Sequence, residues 1–487
     1  MLPEPGGRPP KHPKREIVNA ILWPTASAPL TLAIASTVSA ASAVAKDETT
    51  IGWSRSRRLT APTILGVACW ARTYPRPIRA PARPGPARAC GRCRRLDCSV
   101  TATLPTVSWT PGSARPGSHL IYHLFFRLVL QHIDAEHAHA LAKRSLRIAR
   151  STSLGRAAVR RLTGSPDRSL EVRALGLTFP SPVGVAAGLD KDATWFEDLG
   201  ALGFGFVEVG TITASQQGGN PRPRVLRLVK DRALLNRLGF PNPGAESAAA
   251  HLRRAMGATI VGVNAGKSLL APVEAAGRDY RAAVRPLAQL ADYLVINVSS
   301  PNTPGLREMQ AVPLLRPLIA DVRSELAAAG SAVPLLIKIG PDLDDDQLDA
   351  VTALAVELEL DGIVAVNTTV DRAVLTSAGA QAVPFQGGGL SGAPLRPRAL
   401  QVLRRIHRNV GNSLVLISVG GIESAQDVWE RILGGATLVQ VYTGFIYEGP
   451  TWPARINRDL ARRVRGAGRS SIQDLVGTGV APNHGPV

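Results

Sequence analysis

The chain has 487 residues, with 57 Lys and Arg against 37 Asp and Glu, a formal net charge of +20, and 45% apolar residues. That length holds two or three average domains, or one large α/β domain with extensions, and the apolar share excludes global disorder. The four cysteines all lie between Cys69 and Cys98, so the chain beyond residue 98 carries no disulfide, thiolate metal site or thiol nucleophile.

Residues 1–119 hold 17 of the basic residues, 5 of the acidic ones and 16 of the 38 prolines. Stretches such as Arg76 to Pro86 have neither helical nor strand period, and proline removes the amide donor, so this segment is expected not to pack. It reads as a disordered extension or as the product of a start codon upstream of the real one. A weak signal peptide ending near Ala43-Val44-Ala45 is a lesser reading. The Cys90, Cys93 and Cys98 spacing is a poor zinc signal without a fourth ligand. Arg-rich, aromatic-poor sequence can hold nucleic acid nonspecifically, but no specific nucleic-acid partner is expected.

Residues 120–133 are nearly all apolar apart from a stripe of His123, Arg127 and Gln131. Fourteen residues are too few to span a bilayer, which takes about 20. Asp134 reads as the N-cap of a second helix that carries Lys143, Arg144, Arg147 and Arg150. Such a hairpin, over 120–165, suits either the membrane interface or a packed position on the body of the protein.

From residue 166 to 465 the expectation is a (β/α)8 TIM barrel. Eight apolar runs alternate with helical stretches: Val183–Gly188, Phe206–Thr211, Ile260–Asn264, Tyr293–Ser299, Leu335–Ile339, Gly362–Asn367, Leu414–Val419 and Leu438–Tyr442. Continuous apolar strands separated by helices mean a parallel sheet buried on both faces. A doubly wound sheet is the alternative, but no Gly-x-Gly-x-x-Gly follows a first strand. Residues 466–487, rich in Gly and without periodicity, are expected to be a disordered tail.

Each run ends in polar residues or glycine, and those ends form the carboxyl mouth where barrel sites are built. Lysines, asparagines and hydroxyls converge there, without the carboxylate pair of glycosidases or a histidine pair, and no metal is expected. Lys338 sits inside an apolar strand. A buried ammonium without a partner is costly, so Lys338 is expected to face a ligand. Gly420-Gly421 lies where barrels bind phosphate, which points to a phosphate-bearing cofactor.

The motifs Gly184-Val-Ala-Ala-Gly-Leu-Asp-Lys191, Phe204-Gly-Phe-Val-Glu-Val-Gly-Thr211, Leu235-Asn-Arg-Leu-Gly-Phe240, Asn297-Val-Ser-Ser-Pro-Asn-Thr-Pro-Gly305, Gly388-Gly-Leu-Ser-Gly392 and Val441-Tyr-Thr-Gly-Phe445 carry a family match. Residues 120–460 closely resemble the quinone-dependent (class 2) dihydroorotate dehydrogenases of pyrimidine synthesis. The resemblance implies oxidation of dihydroorotate to orotate through FMN, with a membrane quinone, menaquinone or ubiquinone, as acceptor. It implies flavin contacts at Ala187, Gly188, Leu189, Asp190, Lys191, Thr211, Asn264, Asn297, Lys338, Val366, Gly392, Gly421, Tyr442 and Thr443. Substrate contacts are implied at Lys191, Asn236, Arg237, Leu238, Gly239, Phe240, Asn297, Asn302, Asn367 and Thr368. Val366 departs from the family, which usually has Thr there.

The base position holds Ser300. A neutral serine is a poor base and needs help, which the resemblance places at Thr303 through a water shielded by Phe240. His139, Arg227 and Tyr442 resemble the residues that meet the quinone. A monomer on the cytoplasmic face of the cell membrane is expected. The rival enzyme class, flavin barrels acting on tRNA uridines, usually uses a cysteine that this stretch lacks. A degenerate barrel serving only for binding is disfavoured by the full set of polar strand ends.

Overall fold

A computed structural model describes residues 117–255, 257–377 and 387–480. The extension up to residue 116, with its cysteines and signal-like stretch, and residues 481–487 lie outside the described residues.

Eight parallel strands close into a barrel. They are β3 (Val183–Val185), β4 (Phe206–Ile212), β7 (Ile260–Gly266), β8 (Tyr293–Asn297), β9 (Leu335–Ile339), β10 (Gly362–Ala365), β12 (Val415–Val419) and β13 (Leu438–Val441). The order around the barrel is β10-β12-β13-β3-β4-β7-β8-β9. Each of the eight expected runs supplies one strand. They are apolar throughout because one face fills the barrel while the other meets the helices. Filling is tight: a Cβ on Gly262 would sit 2.0 Å from the Tyr293 ring, so glycine is required where that ring crosses the interior.

Five further strands decorate the barrel. β1 (Val172–Ala174) and β2 (Leu177–Phe179) form an antiparallel hairpin before β3. β5 (Val225–Leu228), β6 (Ala233–Asn236) and β11 (Gly389–Gly392) form an antiparallel sheet with β6 in the centre. That small sheet was not anticipated; β5 carries Arg227 and is half-buried throughout, so it does not read as an apolar run.

In chain order the helices are α1 (Gly117–Leu128), α2 (Ala135–Ser151), α3 (Ser153–Thr163), α4 (Phe196–Ala201), α5 (Ala245–Arg253), α6 (Ala276–Val284), α7 (Val312–Ala328), α8 (Asp345–Glu357), α9 (Arg396–Val410), α10 (Ala425–Leu433), α11 (Thr443–Glu448) and α12 (Trp452–Gly466). Capping fixes several starts. Asp344 and Gln347 exchange hydrogen bonds at the start of α8, as do Ser424 and Asp427 at α10.

The N-terminal segment contains three helices rather than two. Asp134 caps α2, accepting from the N–H groups of Glu136 and His137. The third helix, α3, starts at a cap from Thr152. Three of the basic residues of α2 reach the barrel, which fits the packed alternative. Lys143 pairs with Asp192 at 3.3 Å, Arg150 pairs with Asp198, and Arg147 donates to the Thr194 carbonyl. Those acidic residues and carbonyl sit after β3 and in α4, invisible as partners until the chain folds. Leu120, Leu124 and Leu128 of α1 remain 69%, 56% and 66% exposed. No helix among the described residues is long and apolar enough to cross a membrane.

The expected disordered tail is a second correction. Beyond α12 the chain turns back, and Ile472 and Leu475 enter the core. The Ile472 N–H donates to Ser169 O at 2.8 Å, and those of Gly477 and Gly479 donate to Ile432 and Leu433. A single buried turn has too few residues to show a period, which is why sequence pattern missed it.

Candidate active site

The carboxyl ends of the barrel strands, with β6, β11 and the start of α11, surround an open cavity. Its floor is a polar network inside the barrel. Thr211 Oγ1 donates to Asn264 Oδ1 at 2.7 Å, and Asn297 Nδ2 donates to both at 3.0 Å. Asn264 in turn donates Nδ2 to Glu208 Oε1 at 2.8 Å. These groups come from β4, β7 and β8, adjacent strands whose register sets Asn264 beside Gly210 and Val295.

Lys338 lines the cavity, as expected, but it does not lack a partner. Its Nζ lies 3.0 Å from Glu208 Oε1, and both side chains are buried. Glu208 also accepts from Gln440 Nε2 at 2.6 Å. Sequence reasoning missed Glu208 and Gln440, although a glutamate within an apolar strand was the available signal. Near Glu208, burial and the nearby carboxylate push the Tyr293 phenol well above its ordinary pKa.

On one side, the loop after β8 carries Ser300, Asn302 and Thr303. Ser300 Oγ accepts from the Asn302 N–H at 3.2 Å. Asn302 Nδ2 donates to Asn236 Oδ1 at 3.0 Å, and Asn236 Nδ2 donates to Gly389 O. Asn367 Nδ2 donates to Ser299 Oγ at 3.0 Å. Asn236, Asn297, Asn302 and Asn367, from three chain segments, thus line the cavity together with Ser300. Asn302 Oδ1 and Thr303 Oγ1 are buried without a hydrogen-bond partner among the described residues. Buried polar groups are normally paired, so these two atoms mark places where a ligand or water completes the site. Phe240 crosses this side with φ +51°. A Cβ on Gly266 would meet Thr211 at 2.5 Å and the Phe240 ring at 3.0 Å, so that glycine lets the ring close over the network.

Opposite lie Gly392, Gly420, Gly421, Tyr442 and Thr443. Ser391 and Thr443 share a hydrogen bond of 2.8 Å. Tyr442 donates to Gly188 O at 3.3 Å. Lys191 also lines the cavity, and burial pulls its ammonium down to about 8.

Of the residues anticipated from sequence, the cavity wall also takes in Ala187, Gly188, Leu238, Gly239, Val366 and Thr368. Others fall outside it. Leu189 is packed in the core. Asp190 turns back to cap the N–H groups of Thr194 and Trp195 at 3.1 and 2.7 Å. Arg237 points outward and donates to Pro223 O. Asn264 and Thr303 act from behind the wall. Arg227 donates to Ile133 O at 2.6 Å, holding the turn between α1 and α2. His139 stands edge-on to Trp195 at 5.3 Å, and burial followed by the charges of Lys191 and Lys143 lowers its pKa to about 3. The unforeseen wall residues Val225, Leu234, Ser391, Leu395 and Ile422 come from the small sheet and the loops beside Gly392 and Gly421.

A closed (β/α)8 barrel with this cavity at its carboxyl mouth defines a TIM-barrel enzyme. The profile of the dihydroorotate dehydrogenase family matches residues 169–464. A dihydroorotate dehydrogenase (quinone) of Thermobifida fusca is 50% identical over 372 residues, 75% of this chain and 99% of the relative. One of Pseudarthrobacter chlorophenolicus is 52% identical over 355 residues, 71% of this chain and 99% of the relative. The crystal structure of the DHODH of Eimeria tenella in complex with ferulenol matches with a TM-score of 0.66 and 34% identity, over 75% of this chain and 99% of that one. The chain belongs to the dihydroorotate dehydrogenase family, whose members are flavin-dependent oxidoreductases.

Proposed function

We propose that this protein oxidises (S)-dihydroorotate to orotate, in pyrimidine synthesis, with FMN as its cofactor and a membrane quinone as electron acceptor. One observation carries the reading most of the way. A single cavity is lined by a serine, four asparagines, two lysines and a glycine turn. The orphaned Asn302 Oδ1 and Thr303 Oγ1, and the glycines at the far end, suit a flat heterocycle with a phosphate tail. When bound, FMN supplies the two-electron acceptor for hydride from C6 of the substrate and passes the electrons on to quinone.

In this reading Ser300 Oγ takes the proton from C5. Its low intrinsic basicity calls for an outlet, and the neighbouring unpaired Thr303 hydroxyl supplies one through a water shielded by Phe240. Asn236, Asn297, Asn302 and Asn367 present amide donors and acceptors to the edges of a pyrimidine ring, with Thr368 and the backbone of Leu238 and Gly239 beside them. Lys191 faces the substrate carboxylate, and Lys338 the charge that develops on reduction. Val366 contributes an apolar wall and leaves no hydroxyl at its position.

Quinone is proposed to enter beside α1 and α2, where Tyr442 reaches the cavity and His139 and Arg227 flank the approach. The exposed leucines of α1 suit the membrane interface and support a peripheral position there; in this reading the protein is a monomer on the cytoplasmic face of the cell membrane. Replacing Ser300 with Ala is expected to slow anaerobic flavin bleaching by dihydroorotate by orders of magnitude, while the protein stays yellow. Undiminished single-turnover reduction would refute the assignment.

A further inference from the structure

Arg431, on α10, is one of the largest fully buried side chains, with 1% exposure. It lies behind the glycine turn that follows β12. Its guanidinium donates to Ser418 Oγ at 3.1 Å, Arg396 O at 3.0 Å and Gly420 O at 2.8 Å. Among the described residues it forms no ion pair. Its neighbour Asp427 pairs with Arg396 Nε at 3.1 Å and caps its own helix. Burying a cation without an anion is costly, and burial lowers this guanidinium to about 10. Such a cost is offset if an anion arrives nearby.

The next carbonyl is held in the same way. Arg396 Nε, at the start of α9, donates to Gly421 O at 2.8 Å. Two successive carbonyls are therefore fixed by arginines that are not part of the cavity wall, while Gly420, Gly421 and Ile422 are. In a trans peptide the N–H of the next residue points opposite to the carbonyl. The N–H groups of Gly421 and Ile422 are accordingly turned away from the arginines and toward the cavity. Both glycines have positive φ, +109° and +72°, and a Cβ on Gly421 would lie 2.5 Å from Arg396 Cα. Successive inward amides of this kind make an anion-binding concavity.

We propose that Arg431, assisted by Arg396, is a positioning residue for the phosphate end of the cofactor: it clamps the Gly420-Gly421 turn so that its amides face a phosphomonoester, and supplies the buried positive charge without touching the anion. This rests on the flavin reading above. The test compares FMN with riboflavin, which has the same ring system and no phosphate. Dissociation constants are measured by flavin fluorescence with flavin-free wild-type protein and with the variants.

Arg431→Met is expected to weaken FMN about tenfold or more, with riboflavin affinity changed less than about twofold. Arg431→Lys keeps the charge and is expected to recover most of the preference for FMN. Asp427→Asn removes an opposing charge and is expected to raise that preference, which keeps the test decisive should Arg431→Met fail to fold. Equal losses of FMN and riboflavin in the Arg431 variants, or an unchanged ratio in Arg431→Met and Asp427→Asn alike, would overturn the proposal. Wild-type protein that binds neither flavin would overturn the flavin reading itself, and this inference with it.

Discussion

The buried pair of Lys338 and Glu208 is the sharpest energetic test of the site. Its atoms lie 3.0 Å apart, with side chains 5% and 0% exposed, so solvent screening offers no relief when one partner is removed. Replacing Lys338 with Met strands a carboxylate beside Asn264 and Gln440. Replacing Glu208 with Gln strands an ammonium inside the barrel. Breaking one side of a buried pair costs about 3–5 kcal/mol, much of a domain's net stability of about 5–15 kcal/mol. The double variant leaves no unpaired charge, so it should cost less than the two singles together, by about 2–3 kcal/mol. Urea unfolding of flavin-free protein measures this without a contribution from lost ligand binding. Costs that add within about 0.5 kcal/mol, or single variants each losing less than about 1 kcal/mol, would show that the pair is not what holds this layer together.

Lys191 gives a pH test. Burial lowers its pKa to about 8, from 10.5 when unfolded. Below pH 8 it is protonated; on the proposed reading, in which it meets the substrate carboxylate, dihydroorotate affinity should weaken as pH rises through about 8. Lys191→Met should bind weakly at every pH and lose that limb; a limb that persists in the variant belongs to another group. For stability the sign is opposite. Between about pH 8 and 10.5 the unfolded chain holds the extra proton, so this group's burial penalty fades as pH rises. At the membrane, the double substitution Leu120→Glu/Leu124→Glu should release the protein from anionic vesicles in a sedimentation assay while flavin bleaching by dihydroorotate is unchanged. Equal sedimentation would remove α1 as the docking element. In the C-terminal turn, Ile472→Ala should cost about 2–5 kcal/mol by thermal or urea unfolding. A disordered tail would give no change.

The barrel was legible because its strands are buried on both faces and read as unbroken apolar runs between helices. Asn297, Asn367 and Thr211 were legible because polar residues at the ends of such runs have few other places to go, and Lys338 because a lysine within such a run needs a partner. Glu208 lay in plain view within Phe206–Ile212, yet its partners are 56, 130 and 232 residues away. Only closure of the barrel brings them together. The same holds for the basic face of α2, whose counter-charges come after β3, and for Asp190, which resembled a cavity residue and serves as a local cap.

Sequence by itself determined the repeating strand-and-helix plan and the chemical types presented at the mouth, since both arise from periodicity and motif within a short window. Tertiary structure decided which charges are paired, which face of α1 stays apolar and open, and where the last turn packs. Those outcomes depend on distances between residues far apart in the chain, and a local pattern contains no such distances.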